Sequence, residues 1–439
     1  MHVKAVLTLV GGILIHLTLG TLYTASNLST YVISYLHVVK NERNMDESMS
    51  PWVFALQSLG QATCMIVGGS VQRVLGLRWA MITGCALLSL STLCGYWTVN
   101  NFYLFCATYG MLFGVGVGVA YSSPMTAAMK WMPNRRGLAN GLIVLGFGLG
   151  SLIFNFIETL IINPKNVKPV IDPTGVTKEK FFPKEIVEHM PKVFLILGLC
   201  YALMQLIGIL LITEPNEEEQ KQLVSETETS LVTTQSTKKS LTMKEAAKTS
   251  KFWEIWVTLL CASMTNIFVS SFYKFFGQSF IEDDFFLVLV GSISSVCNGL
   301  CRPFWGSMMD RFGYKKSMGS MLCLFCVFIG TFNFTKVGGK WMFMVWVCAL
   351  YWCIGGVFAM IPTFTDKSFG SEYFGTIYGL VFTAVIFSSL CSAFFVTTMV
   401  KRIGVLGITI ALACLVFVAI LVTCIPKDWS YLDVKEQTE

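Results

Sequence analysis

The sequence predicts an all-α membrane protein with twelve transmembrane helices in two halves of six, and three features carry that prediction. Of the 439 residues, 54% are hydrophobic and only 13% charged, about half the charged share of a soluble globular domain. Apolar runs of about 20 residues, enough to cross a hydrocarbon core of about 30 Å as a helix, recur along nearly the whole chain. One long polar stretch near the middle divides those runs into six and six.

The first run, at about 8–36, is far longer than the apolar core of a signal peptide and lacks a cleavage-site pattern, so it is expected to span. Runs at about 52–72, 79–97, 102–129, 138–162 and 193–213 complete the first half, 1–213. Glycines in the fourth (Gly110, Gly114, Gly116, Gly118) and fifth (Gly141, Gly146, Gly148, Gly150) suit helices that approach closely. GFGLG at 146–150 is not a phosphate loop, because it lies within an apolar helix with no adjoining strand or Lys-Ser/Thr. The segment 163–192, mixed in Lys and Glu and containing prolines, is expected to form an outer loop or small cap.

The stretch 214–251 contains EPNEEEQKQ, a Ser/Thr-rich run and KEAAKTSK, and reads as a disordered linker followed by a short amphipathic helix. Runs at about 253–280, 286–309, 317–334, 341–364, 374–400 and 404–425 then make the second half, 252–426, with a polar tail at 427–439.

Charge bears on orientation. Arg73, Arg78, Lys130, Arg135, Arg136, Arg311, Lys315 and Lys316 fall in loops on one side; Lys40, Arg43, Lys336, Lys340, Lys401 and Arg402 fall on the other. The modest bias places both termini and the linker in the cytoplasm and 163–192 outside. The net charge of +6 is carried by loops and termini and does not imply a nucleic-acid partner. The expected surroundings are a lipid bilayer, by default the plasma membrane, although an organelle membrane fits as well, and the chain is expected to act as a monomer. The fifteen cysteines show no disulfide spacing, and Cys323-x-x-Cys326 lies in mid-span without a nearby His or acid, where packing is its ordinary role. Neither a nucleophile–base constellation nor a metal-ligand cluster is visible, so no enzyme, metal or cofactor is expected.

Arg302 is the residue that an apolar span explains least. Seven residues before the expected helix end at Met309, it sits about 10 Å deep at 1.5 Å per residue. A guanidinium there costs about 2.5 kcal/mol or more, so it must face a cavity or a partner. Asn298, Ser295 and Gly291 lie on the same helical face, and the planar fork of arginine suits bidentate recognition of a carboxylate. The alternative is a structural ion pair, for which Glu158 is the main intramembrane acid. Lys274 is the second deep base, on a face with Ser270, Asn266 and Ser263; it either faces the cavity or snorkels outward. His16, Gly20, Tyr23, Asn27 and Tyr31 form a polar and aromatic face in the first span, and Tyr23, Asn27, Tyr121 and Trp352 are candidate cavity walls. His16 can carry a coupling proton, but a hydrogen-bonded structural role is the commoner one.

GGSVQRVLGLR after the second span and GSMMDRFGYKK after the eighth place a glycine, a polar residue with arginine and a second glycine in matching turns, a trace of related halves. Gly306-x-x-x-Asp310-Arg311-x-Gly313-x-Lys315 resembles the loop signature of the major facilitator superfamily. Lys130 to Gly141 followed by GFGLG, Thr249 to Trp253, Tyr273-Lys274 before Phe-Phe-Gly277, and Asn298 to Pro303 are similar to the oxalate:formate antiporter family and its monocarboxylate-porter relatives. The resemblance implies two six-helix bundles around one central site opened alternately to either side, small carboxylate substrates, no prosthetic cofactor, and an anion-binding role for Arg302. Asp310, Arg311, Arg73 and Arg136 are expected to hold the cytoplasmic gate.

One departure from the family bears on substrate. Oxalate transporters carry a lysine after a Tyr-Gly motif in the eleventh span, and here Tyr378-Gly379 leads to Val385 at that position. This favours monocarboxylates of the pyruvate, lactate or formate type, moved by exchange. Proton symport, oxalate/formate exchange, and a non-transporting sensor or scaffold are the alternatives.

Overall fold

The computed structural model describes residues 3–42, 45, 49, 51–165, 167, 169–171, 180–216, 218–220, 240–278, 280, 281 and 283–424, with backbone alone at 26, 51, 171, 180, 271, 272, 274, 275, 278, 284, 285, 288, 390 and 392–401. Most of the expected linker, 221–239, and the expected tail, 427–439, lie outside the described residues.

Helix α1 joins Val3–Leu19 to Ala25–Val38 through a 3₁₀ segment, Gly20–Thr24. Helices α2 (Pro51–Leu75) and α3 (Leu77–Thr98) follow. Helix α4 runs from Phe102–Phe105 through a π-helical segment, Cys106–Leu112, into Phe113–Ala120 and Ser122–Trp131. The half closes with α5 (Arg136–Ile162) and α6 (Met190–Leu211). The second half begins with α7 (Ser250–Gln278), α8 (Asp284–Phe312) and α9 (Tyr314–Gly330). Gly339 (φ 75°) and Gly404 (φ 65°) interrupt the runs Thr335–Phe369 and Phe374–Cys424. Only glycine adopts such dihedrals without strain, so these breaks separate α10 (340–369), α11 (374–403) and α12 (405–424).

These twelve helices form two six-helix bundles, α1–α6 and α7–α12, which meet where α5 packs along α8 and α2 along α11. Among the described residues eight segments are long and apolar enough to span by composition alone, and α2, α8, α9 and α11 are not among them. Of these, α2, α8 and α11 lie at the seam between bundles, where one side of a helix faces protein or cavity and can be polar, and α9 has only 17 residues. The outer surfaces expose Trp79, Phe156, Leu203 and Leu210, as lipid contact requires.

Two expectations need adjusting. Helix α8 extends past Met309 to Phe312, so its last turn carries the charged Asp310 and Arg311. The ninth helix ends at Gly330, and Phe332–Phe334 is a 3₁₀ turn. The exception to the all-α character is a two-residue antiparallel hairpin in the 163–192 loop, Val170–Ile171 with Lys180–Phe181. It forms a small cap: Phe181 stacks on His37 of α1 with ring centroids 4.0 Å apart, and Phe182 lies 4.5 Å from Tyr31. At the linker's end Thr242 and Glu245 form a capping box on the short helix Met243–Ala247, and the Leu241 amide donates to Phe369 O at 2.9 Å.

The seam is set by glycine pairs. A Cβ on Gly137 of α5 would run into the backbone of Gly306 on α8, and one on Gly306 into Gly137. Gly69 of α2 and Gly375 of α11 make the corresponding contact on the other side. Gly306→Leu is therefore expected to cost about 1–3 kcal/mol through overpacking and to lower the melting temperature in detergent. Gly330→Ala, whose new methyl would meet only Ala413 at an ordinary 3.6 Å, should leave the melting temperature unchanged.

Candidate functional site

Arg302 is carried to the centre of the seam by α8 and is 1% exposed. Its Nη1 donates to Val144 O of α5 at 2.8 Å and its Nη2 to Asn298 Oδ1 at 2.9 Å. Nε has no hydrogen-bond partner among the described residues, and it lies beside Gly148, where a Cβ would stand 3.4 Å away. Asn298 is held in turn by Nδ2 donating to Tyr351 O at 3.1 Å. Among the described residues no ion pair includes Arg302. A guanidinium has five N–H donors, and the protein's partners here are neutral oxygens. The charge is thus buried and oriented but not neutralised.

Aromatic rings enclose it. Phe147 of α5 lies 5.9 Å below the guanidinium carbon, within cation–π range. Tyr121 of α4 packs edge-on against Phe147 at 5.3 Å, stacks with Tyr378 of α11 at 6.3 Å and contacts His16 of α1 at 5.2 Å. Tyr23 joins the other side of Phe147 at 5.6 Å and stacks on Phe54. His16, Tyr23, Tyr121 and Tyr378 all lie within Coulombic reach of Arg302. Tyr23 is 38% exposed while Tyr121 is 2% exposed, so Tyr23 is the accessible ring of the cluster.

The sequence-derived candidates therefore separate. Arg302, Asn298, Tyr23 and Tyr121 come together. Asn27 instead donates to Glu158 at 3.2 Å, about one turn beyond Tyr23 on α1. Trp352 packs against Phe304 at 5.4 Å, two residues from Arg302 and so on the opposite face of α8. Its neighbour Tyr351 is the residue that supports Asn298 and pairs with Tyr273 at 6.3 Å. The side chain of Lys274 lies outside the described residues. Glu158, weighed as a partner for Arg302, is bonded to Asn27 in the first bundle. Val385 follows Tyr378 and Phe382 along one face of α11 as a partly buried apolar residue.

Phe147 was not singled out from sequence, and His16 and Tyr378, read there as a structural histidine or proton carrier and as part of a Tyr-Gly motif, were not among the expected cavity walls. His16 is buried, with Nδ1 3.2 Å from Gly12 O and Nε2 without a partner among the described residues. Its signal is its place on the α1 face with Tyr23, and that of Tyr378 is the Tyr-Gly motif; Phe147 carries none beyond aromaticity.

The linker side of the seam is closed by charge. Asp310 of α8 accepts from the backbone amides of Gly137 (3.1 Å) and Leu138 (2.9 Å), at the start of α5. It thereby caps a helix of the other bundle, where unpaired amides and the positive end of the helix dipole favour a carboxylate. Lys367 holds Asp310 at 2.8 Å, and Arg136 pairs with the buried Asp366 at 2.6 Å. Arg73 lies over the Tyr373 ring at 5.0 Å, and Gln72, the counterpart of Asp310, accepts from Ser122 and Ser123. Arg311 is exposed. Asn140 adds a bond across the seam, donating to Ala359 O at 2.7 Å.

A family model described as Major Facilitator Superfamily matches residues 17–289 and 283–431. Curated relatives include Apicoplast pyruvate carrier 1 of Toxoplasma gondii, 26% identical with 96% of this chain and 88% of the relative covered. The Oxalate:formate antiporter of Oxalobacter formigenes is 25% identical over 80% of this chain and 75% of its own. Among solved structures, the transporter FucP in an outward conformation superposes with a TM-score of 0.70 at 12% identity, covering 96% of this chain and 98% of that one.

Asp310→Ala removes the cap in trans and should cost about 1 kcal/mol of seam stability, about a fivefold change in the population open on the linker side. A cysteine replacing Asn140 in a cysteine-free background should react correspondingly faster with a water-soluble thiol reagent when Asp310 is Ala than when it is Asp.

Proposed function

From the premise that this chain belongs to the major facilitator superfamily and is a multi-pass membrane transporter, we propose that it carries small monocarboxylate anions of the pyruvate, lactate or formate type. The observation that carries this reading is Arg302, a buried guanidinium oriented by neutral oxygens with no carboxylate upon it among the described residues. A substrate carboxylate supplies the missing charge through the bidentate geometry that arginine favours. Phe147, Tyr23, Tyr121 and Tyr378 exclude water around it, which strengthens the pairing and limits the size of the passenger. The relatives that carry pyruvate, oxalate or formate support the same substrate class. Val385 leaves the α11 face apolar, so one positive charge meets one carboxylate, and a dianion such as oxalate binds less well.

Transport proceeds by alternating access. Contacts at Gly137, Leu138, Arg136 and Asn140 close the linker side, while Tyr23 remains accessible from the other. The linker and termini face the cytoplasm in this reading, and the anion enters from the side of the 163–192 cap. Substrate bridging Arg302 and α5 draws the bundles together, and rupture of the Asp310 and Asp366 contacts opens the cytoplasmic side. The loaded carrier reorients more readily than the empty one because the substrate neutralises the central charge, which gives exchange of one anion for another.

The test is uptake of labelled pyruvate, lactate, formate and oxalate into proteoliposomes. Wild type should take up the monocarboxylates, with pyruvate inside accelerating entry. Arg302→Gln should lose about 100-fold or more, as expected when one partner of a desolvated charge pair is truncated. Arg302→Lys, which keeps the charge but not the fork, should fall between. Unimpaired transport by Arg302→Gln would remove the basis of the reading.

A further inference from the structure

A second polar cluster lies away from Arg302, enclosed within the first bundle. Glu158 of α5 is fully buried, ten residues beyond Gly148 and so about 15 Å along the helix from the Arg302 site. Oε2 accepts from Asn27 Nδ2 at 3.2 Å, and Oε1 has no hydrogen-bond partner among the described residues. Nor does any ion pair there reach it. Around it stand Thr24 and Tyr31 of α1, Tyr109 of α4 and Tyr201 of α6. Gln57 of α2 donates to Tyr109 O at 2.9 Å and joins the same cluster. The hydroxyls of Tyr109 and Tyr201 and Oε1 of Gln57 are likewise buried and unpartnered among the described residues.

Two backbone irregularities converge on these groups. Thr24 ends the 3₁₀ segment of α1, and Tyr109 sits inside the π-helical segment of α4. Such segments are uncommon and often mark functional sites. A buried carboxyl with a free oxygen, surrounded by hydroxyls and amides and by no base among the described residues, is costly to keep as part of a structural core. Intramembrane acids of this kind generally serve ions or protons.

We propose that Glu158, with Gln57, Tyr109, Tyr201 and Thr24, forms a binding site for one monovalent cation, a proton or a sodium ion. The groups facing it from the packed helices are Tyr31, Tyr109 and Tyr201, together with the neutral Thr24, Asn27 and Gln57; none brings a positive charge. The site is tied to the anion site through α1. Tyr23 lies within reach of Arg302 and Thr24 within reach of Glu158, on consecutive residues of one 3₁₀ segment. Rewinding of that segment as the outer half of α1 moves would change both sites together, so cation occupancy is linked to anion binding. This linkage rests on the transporter reading, whereas the cation site itself does not.

Melting of the purified full chain is measured in detergent with NaCl replaced stepwise by choline chloride, and separately from pH 5 to 8. Sodium binding predicts a melting temperature that rises with the logarithm of Na⁺ concentration in wild type and not in Glu158→Gln. Proton binding predicts pH profiles of the two proteins that diverge by the uptake of one proton. Profiles that run parallel in both series overturn the site. Should Glu158→Gln not fold, Asn27→Ala serves: it should move the sodium or pH midpoint several-fold, and an unmoved midpoint overturns the site equally. In proteoliposomes an inward sodium or proton gradient should accelerate pyruvate entry by wild type, and in Glu158→Gln that acceleration, relative to exchange in the same vesicles, should fall to none. Equal acceleration in both proteins overturns the linkage, whereas a wild type that moves no pyruvate sinks the substrate reading and leaves the melting test standing.

Discussion

A positive charge held in the middle of a membrane protein without a negative partner among the described residues is the constraint on which the rest of this structure turns. Arg302 stays there because α5 and α8 approach closely enough for Val144 O to reach it, and because Asn298, one turn back, completes its orientation. Close approach needs glycine at 137, 148, 299 and 306. The ring of Phe147 on one side of the guanidinium and the cluster around Tyr121 then deny it water. Each of these features is costly alone and makes sense around an anion.

The same two helices that hold the charge are also tied together on the linker side. Asp310 is two turns beyond Arg302 on α8, and it caps α5, which carries Val144 and Phe147. Separation of α5 from α8 on the linker side therefore cannot leave the Arg302 contacts untouched. The counterpart seam, α2 with α11, repeats the glycine pair at Gly69 and Gly375 but uses Gln72 in place of the aspartate. The α5–α8 side of the seam is thus held by a carboxylate and its ion pair, and the α2–α11 side by neutral hydrogen bonds and the Arg73–Tyr373 cation–π contact.

Much of the architecture was legible because hydropathy, polar breaks and glycine positions are local properties. Gly339 and Gly404 stand where the tenth and twelfth spans were expected to begin, and their positive φ values show why. Arg302 with Asn298 was legible because both lie on one face of one helix. Residues that meet only through packing between helices were not. Tyr378 reaches Tyr121 across the seam, and nothing in either helix alone announces that pair. Trp352 and Tyr351 differ by one residue, about 100° around α10, which is beyond what a span with uncertain ends can resolve. Asn27 shares a face with Tyr23, but the intervening 3₁₀ segment turns it to Glu158. Irregular winding is invisible to a search for helical periodicity.

The account's central claim is that the site recognises the charge of a carboxylate through Arg302. Equilibrium binding of pyruvate and of its uncharged methyl ester to the purified protein tests this most directly, since the two differ in charge but little in the remainder of their shape. The account predicts saturable binding of pyruvate and an ester weaker by about 100-fold or more, in line with the loss of a buried charge-paired contact. Equal affinity for the acid and the ester would contradict it.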